Sequence, residues 1–263
     1  MLMKKIAVLL LLLLPLLAAG PQQMAVIGEK SDQLLTDNLG NVYLVSADRI
    51  RKFDQRGAFQ KEFSNKNFGA ITAADATNPL RILLFYRDFS RIIFLDNTLS
   101  QNGEPVQLEA LGYPLATLAA TSYDNGLWIY DQQNFELLRL NRQLQVEQRT
   151  GNLSQQLGIE LHPNFIIEKD NRLFMNNPET GVLVFDVFGT YSKQLPLPGL
   201  KQFQIDDDAL IWFDGKQLHS YALATYENTL FDKPVDSLAR NMRIEKPLVV
   251  VQRADSVLIY PRR

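Results

Sequence analysis

Along this chain short apolar runs alternate with polar, turn-forming segments, and the runs return at a regular spacing. One kind of run ends on a turn-forming polar residue. It occurs as Ile50-Arg51-Lys52-Phe53-Asp54, Ile92-Ile93-Phe94-Leu95-Asp96, Leu137-Leu138-Arg139-Leu140-Asn141 and Val182-Leu183-Val184-Phe185-Asp186. Weaker copies are Leu218-His219-Ser220-Tyr221-Ala222 and Val257-Leu258-Ile259-Tyr260-Pro261. The last positions of successive copies lie 42, 45, 45, 36 and 39 residues apart. Six units of about 40 residues match the period of four-stranded propeller blades.

A second apolar run precedes each copy: Val42–Val45, Ile82–Tyr86, Leu127–Tyr130, Leu173–Met175, Leu210–Phe213 and Leu248–Val251. These runs are apolar on consecutive residues, so both strand faces must be buried. A second strand lying between neighbouring sheets explains that. The turns before them, such as Asp37-Asn38-Leu39-Gly40-Asn41, Tyr123-Asp124-Asn125-Gly126, Lys169-Asp170-Asn171 and Asp206-Asp207-Asp208, hold residues that tolerate the positive φ of tight hairpins. Phe59, Lys61 and Phe63 alternate with Gln60 and Glu62, and Val106 and Leu108 alternate with Gln107 and Glu109, the period-2 pattern of an outer edge strand.

The expected fold is therefore all-β: a six-bladed β-propeller of four-stranded antiparallel blades at about 32–66, 67–112, 113–157, 158–199, 200–236 and 237–263 with 21–31. The last unit has room for only three strands. Met24-Ala25-Val26-Ile27 has no unit of its own and is expected to supply the missing outer strand, closing the ring. The competing architecture is a pair of β-sandwiches. No long stripe of period 3.6 supports a helical fold.

Asp37–Val45 followed by Arg49-Ile50-Arg51-Lys52-Phe53-Asp54-Gln55-Arg56-Gly57 resembles an NHL-type blade. Asn125–Tyr130 and Asp208–Phe213 keep only the second-strand part of that pattern. The resemblance implies the TolB-like class of six-bladed propellers. That class includes lyases, lactonases, receptor modules and assembly scaffolds, so it implies no single function.

The chain has 263 residues, 27 Lys and Arg against 29 Asp and Glu, no Cys and two His. The lack of a basic excess argues against nucleic acid as a partner. Without Cys there can be no disulfide, thiolate metal site or thiol nucleophile, and two His cannot make a three-histidine centre. Lys4 and Lys5, the apolar run Ile6–Leu17 broken only by Pro15, and the small Ala18 and Ala19 describe a secretory signal over 1–19, cleaved beside Ala19 and Gly20. Twelve helical residues span about 18 Å, short of a ~30 Å hydrocarbon core. The expected mature chain, 20–263, therefore has no membrane anchor and works in the periplasm or outside the cell.

Candidate chemistry is sparse. His219 falls in a third-strand run and reads as structural, while His162, before Pro163 at a blade boundary, stands near the channel mouth. Asp75, Glu168 and Asp206 are the acids nearest the innermost strands, and they read as turn residues before the second strand. No phosphate loop, nucleophile elbow or calcium loop is present, and no metal or cofactor is implied. The loops joining second to third strands carry Asp48, Asp88, Asp131, Asp214 and Asp255 in five of six blades. These read first as hairpin residues. Their alternative role is an acidic-polar binding ring, with Arg49, Arg87, Tyr113 and Arg253 adding donors and an aromatic anchor. Asn152-Leu153-Ser154 matches a glycosylation acceptor, discounted because the short start and lack of Cys suggest a bacterial chain.

The expectation is an exported, non-catalytic protein-binding or scaffolding module whose partner is another envelope or secreted protein, in an oligomeric state the sequence leaves open. The alternatives are a hydrolase or lyase using channel carboxylates, with or without a divalent metal, and a sensory or structural module of a larger assembly.

Overall fold

The computed structural model describes residues 23–231, 236–245 and 248–262. The expected leader over 1–19, with Ala19 and Gly20, lies outside them. The described chain forms six antiparallel four-stranded sheets. In blade 1 the strands are Gln33–Thr36, Val42–Ser46, Arg49–Phe53 and Phe59–Ser64. Blade 2 contains Ala73–Asp75, Ile82–Tyr86, Arg91–Leu95 and Val106–Gln107, and blade 3 contains Ala116–Thr121, Leu127–Asp131, Glu136–Leu140 and Val146–Arg149. Blade 4 runs through Phe165–Lys169, Arg172–Asn177, Gly181–Asp186 and Tyr191–Leu195, and blade 5 through Gln204–Asp206, Ala209–Phe213, Leu218–Ala222 and Asn228–Leu230.

Blade 6 takes strands from both ends of the chain. Asn241–Glu245, Leu248–Gln252 and Val257–Pro261 are followed outward by Ala25–Ile27, with Val26 opposite Leu258. Met24 N–H extends that pairing by donating to Ile259 O at 2.8 Å.

The core consists of six wedges, one between each pair of neighbouring blades, and this explains the consecutive apolar runs. In blade 1, Val42 and Leu44 pack toward blade 6, while Tyr43 and Val45 pack toward blade 2. In blade 3, Leu127 and Ile129 face blade 2, while Trp128 and Tyr130 face blade 4. Successive strand residues point to opposite faces, so a strand between two wedges must be apolar on both. Burial of such side chains contributes about 1.5–3 kcal/mol each.

The polar residue ending each strong repeat copy has a defined task. Asp54 Oδ1 accepts from the N–H groups of Arg56 and Ala58. Asp96 accepts from Thr98 and Ser100, Asn141 from Gln143 and Gln145, and Asp186 from Phe188 and Thr190. The side chain thus closes the turn from third to outer strand by binding two backbone donors that the sheet leaves unpaired. The tight turns before the second strands hold Gly40, Asn125, Asp170, Asn171, Asp207 and Asp208 at positive φ.

Two details differ from the expectation. The outer strand of blade 2 is only Val106–Gln107, because the chain turns at Leu108, which is fully buried in the wedge facing blade 3. Asn152-Leu153-Ser154 opens a single helical turn, Leu153–Leu157, with Asn152 Oδ1 accepting from Gln155 N–H as its N-cap.

Candidate functional site

The first strand of every blade faces the axis, and together these strands surround a channel. One cavity within it, about 250 Å³, is bordered by Gln33, Thr36, Ala74, Asp75, Ile167, Lys201 and Arg243 among others. Arg243 stands deep within the ring, and its Nε donates to Thr36 Oγ1 at 3.2 Å. Thr36 Oγ1 donates in turn to Glu245 Oε2 at 3.3 Å. Burial lowers the pKa of the Arg243 guanidinium and raises that of the Glu245 carboxyl, with each group's opposite charge partly offsetting the effect.

The three acids expected in turns lie on inner strands instead, and each bridges to a neighbouring blade. Asp75 Oδ2 accepts from the backbone and hydroxyl of Thr121 at 2.8 and 2.6 Å. Glu168 accepts from Ser122 Oγ, Tyr123 N–H and Trp128 Nε1 at 2.9, 2.7 and 2.5 Å. Arg262 pairs with Asp206 at 2.7 Å. Sequence spacing could not separate the last residue of a first strand from the first residue of the following turn. Among the described residues, no three His, Asp or Glu side chains converge as a metal-binding group.

On the face carrying the second-to-third-strand hairpins, called here the upper face, the channel opens into a second cavity. It measures about 260 Å³ and is bordered by Thr72, Ala73, Arg87, Thr117, Leu118, Tyr130, Gln132, His162, Pro163 and Asn164. Thr72, Ala73, Leu118 and Asn164 border the first cavity as well, so the two are continuous. Of the proposed binding residues, Arg87 and His162 meet here. Arg87 begins a short 3-10 turn, Arg87–Phe89, and its backbone N–H donates to Thr72 Oγ1 at 3.3 Å. His162 Nε2 pairs with Glu160 Oε1 at 2.8 Å, and its backbone N–H donates to Asn177 Oδ1.

The remaining candidates are spread around the rim. Asp48 Oδ2 accepts from Ser64 Oγ at 2.6 Å, which lowers its pKa. Asp88 is exposed beside Arg87. Asp131 is 2% exposed and accepts from Gln133 N–H and Asn134 Nδ2 within its own hairpin. Asp214 accepts from the backbone of Lys216 and Gln217 and from His219 Nε2, and these bonds, Gln217's first, lower its pKa to about 2. His219 stacks on Trp212 with centroids 4.7 Å apart. Asp255 accepts from its neighbour Ser256 Oγ. Tyr113 is packed in the wedge between blades 2 and 3, with its hydroxyl accepting from Arg149 at 3.0 Å.

Sequence reasoning passed over Tyr130, Phe89 and Leu115. Tyr130 reads as a core residue of a second strand. Its hydroxyl is buried and has no hydrogen-bond partner among the described residues, and burial raises its pKa to about 12. Phe89 and Leu115 are about half exposed. For Phe89 the available signal was an apolar residue inside the polar turn Arg87-Asp88-Phe89-Ser90-Arg91; Leu115, between Pro114 and Ala116, gave none. Their segments are joined by Ser90 Oγ donating to Pro114 O at 2.9 Å, and Gln132 N–H donates to Leu115 O at 3.1 Å.

No family model matches this sequence, and no curated protein matches it. Solved structures do. A catalytically inactive virginiamycin B lyase from Staphylococcus aureus, solved with quinupristin, aligns with TM-score 0.56 and 14% identity over 87% of this chain and 79% of that one. The chain is a six-bladed β-propeller. The Neurospora crassa Pan2 WD40 domain aligns at 0.55 with 8% identity over 92% of this chain and 95% of that one. BBS1N in complex with ARL6DN aligns at 0.54 with 11% identity over 88% and 77%. At such identities the likeness concerns the fold alone, and the neighbours include both a lyase and a domain solved in complex with another protein.

Proposed function

We propose that this propeller is an exported, non-catalytic protein-binding module of the cell envelope, engaging its partner across the upper face. The observation carrying this reading is the composition of the channel mouth. Arg87, whose side chain pairs with none of the described residues, borders the cavity, and two exposed apolar side chains, Phe89 and Leu115, stand outside its lining on turns joined by a hydrogen bond from Ser90 Oγ to Pro114 O. Rigid loops with aromatic, aliphatic and Arg side chains suit protein recognition. The inner carboxylates that a hydrolase or lyase would use are engaged with neighbouring blades. The leader-like start supports an envelope location, which N-terminal sequencing of the exported protein tests.

The experiment is capture of the partner from the native envelope fraction by wild-type protein and by Arg87→Glu and Phe89→Ser. A partner captured by the wild type and lost in both variants at unchanged melting temperature supports the reading. Capture unaffected by either substitution contradicts it.

A further inference from the structure

We infer that the mouth cavity is an anchor subsite for a carboxylate, supplied by the C-terminus or an acidic side chain of the bound polypeptide. The inference rests on the protein-binding reading and gives it a chemistry. Arg87 borders the cavity, as does His162, whose ring is paired with Glu160, and among the described residues no acidic side chain lines it. The guanidinium of Arg87 makes no ion pair among the described residues, although Asp88, Asp131 and Glu160 are close in the chain or fold. Asp131 is held by its own hairpin and Glu160 by His162. The second observation is independent of charge. Tyr130 borders the same cavity, and its buried hydroxyl has no partner among the described residues. A buried polar group left unpaired is costly and is kept where something else pairs with it. A carboxylate is acceptor-only and can receive the phenolic O–H and the guanidinium fork together.

The test uses the full chain and three probes. N-acetyl-phenylalanine joins a terminal carboxylate to an aromatic ring, N-acetyl-glutamate α-amide carries its carboxylate on a side chain, and N-acetyl-phenylalaninamide has none. Binding is followed by amide NMR shifts up to about 10 mM, where ligands making few contacts are measurable. At least one carboxylate probe is expected to shift the Arg87 and Tyr130 signals, and the neutral probe to bind about tenfold more weakly or not at all. The tighter carboxylate probe identifies terminus or side chain. Arg87→Gln should weaken binding about tenfold. Tyr130→Phe should weaken it several-fold while melting at or above the wild-type temperature, because an unpartnered hydroxyl has been removed. Equal binding of the neutral probe, no binding of any probe, an unchanged affinity in Arg87→Gln, or a lowered melting temperature in Tyr130→Phe overturns the assignment. Probe binding without a captured polypeptide would leave the subsite standing and remove the protein-binding reading; a captured partner without probe binding would do the reverse.

Discussion

Trp128 Nε1 donates to Glu168 Oε2 at 2.5 Å across the boundary between blades 3 and 4. Ser122 Oγ and Tyr123 N–H complete the coordination of the same carboxylate, which therefore acts as a clasp between blades. Removing it leaves three donors without their acceptor. Glu168→Ala is expected to cost about 3–5 kcal/mol, which at 2–4 °C per kcal/mol for a domain of this size is a fall of roughly 10 °C in calorimetry. Trp128→Phe removes one of three bonds and should cost about 1–3 kcal/mol. A Glu168→Ala variant that melts like the wild type would free this carboxylate for chemistry and revive an enzymatic reading.

The pairing of Ala25–Ile27 with Val257–Pro261 predicts the effect of trimming the chain's start. Deleting residues 23–28 bares the edge of blade 6 and removes Ile27, 3% exposed, from the wedge between blades 6 and 1. The melting temperature should fall by several degrees, since each lost kcal/mol is worth about 2–4 °C. An unaltered transition would show that ring closure does not depend on this strand.

Asp214 supplies a pH test. Its carboxyl is held at about 2, below the ordinary 3.8, first by the Gln217 backbone and then by His219. A depressed carboxyl binds its proton less readily in the folded state. It therefore stabilises the fold above its ordinary value, and that contribution fades as pH falls through about 2. Carboxyl NMR should place the midpoint near 2. His219→Ala should raise it only partway toward 3.8, because the larger cause is the backbone. Full reversion in that variant would assign the depression to the His instead.

Gly181 makes a local test of the blade 4 hairpin. Its φ is +114°, and an added Cβ would meet Leu195 O at 2.2 Å. Gly181→Ala should cost well over 1 kcal/mol. Gly158→Ala, also at positive φ but with nothing within 4 Å, should cost only about 1 kcal/mol. Similar denaturation midpoints for the two would contradict the steric account.

The blades were legible in the sequence because two physical demands repeat in every unit. A strand between two wedges must be apolar on both faces, as Tyr43 and Leu44 are, and the turn after the third strand needs a side-chain acceptor such as Asp54, Asp96 or Asp186. The site was far less legible. Asp131, Asp214 and Tyr113 repeat or stand out for reasons of hairpin closure and packing, so their recurrence says little about binding. Arg87 and His162 are 75 residues apart and meet only because successive blades curve around one axis. Tyr130 is indistinguishable from core until its hydroxyl is seen to lack a partner.

The central claim, recognition across the upper face, is tested most directly by site-specific photo-crosslinking in the cells that make the protein. A photoreactive phenylalanine analogue is placed at Phe89 on the upper face and, separately, at Phe188, which is 60% exposed on the turn from third to outer strand of blade 4 on the opposite face. The account predicts one discrete adduct from position 89, competed away by wild-type protein, and none from position 188. An adduct from position 188 alone, equal adducts from both, or none from either would contradict it.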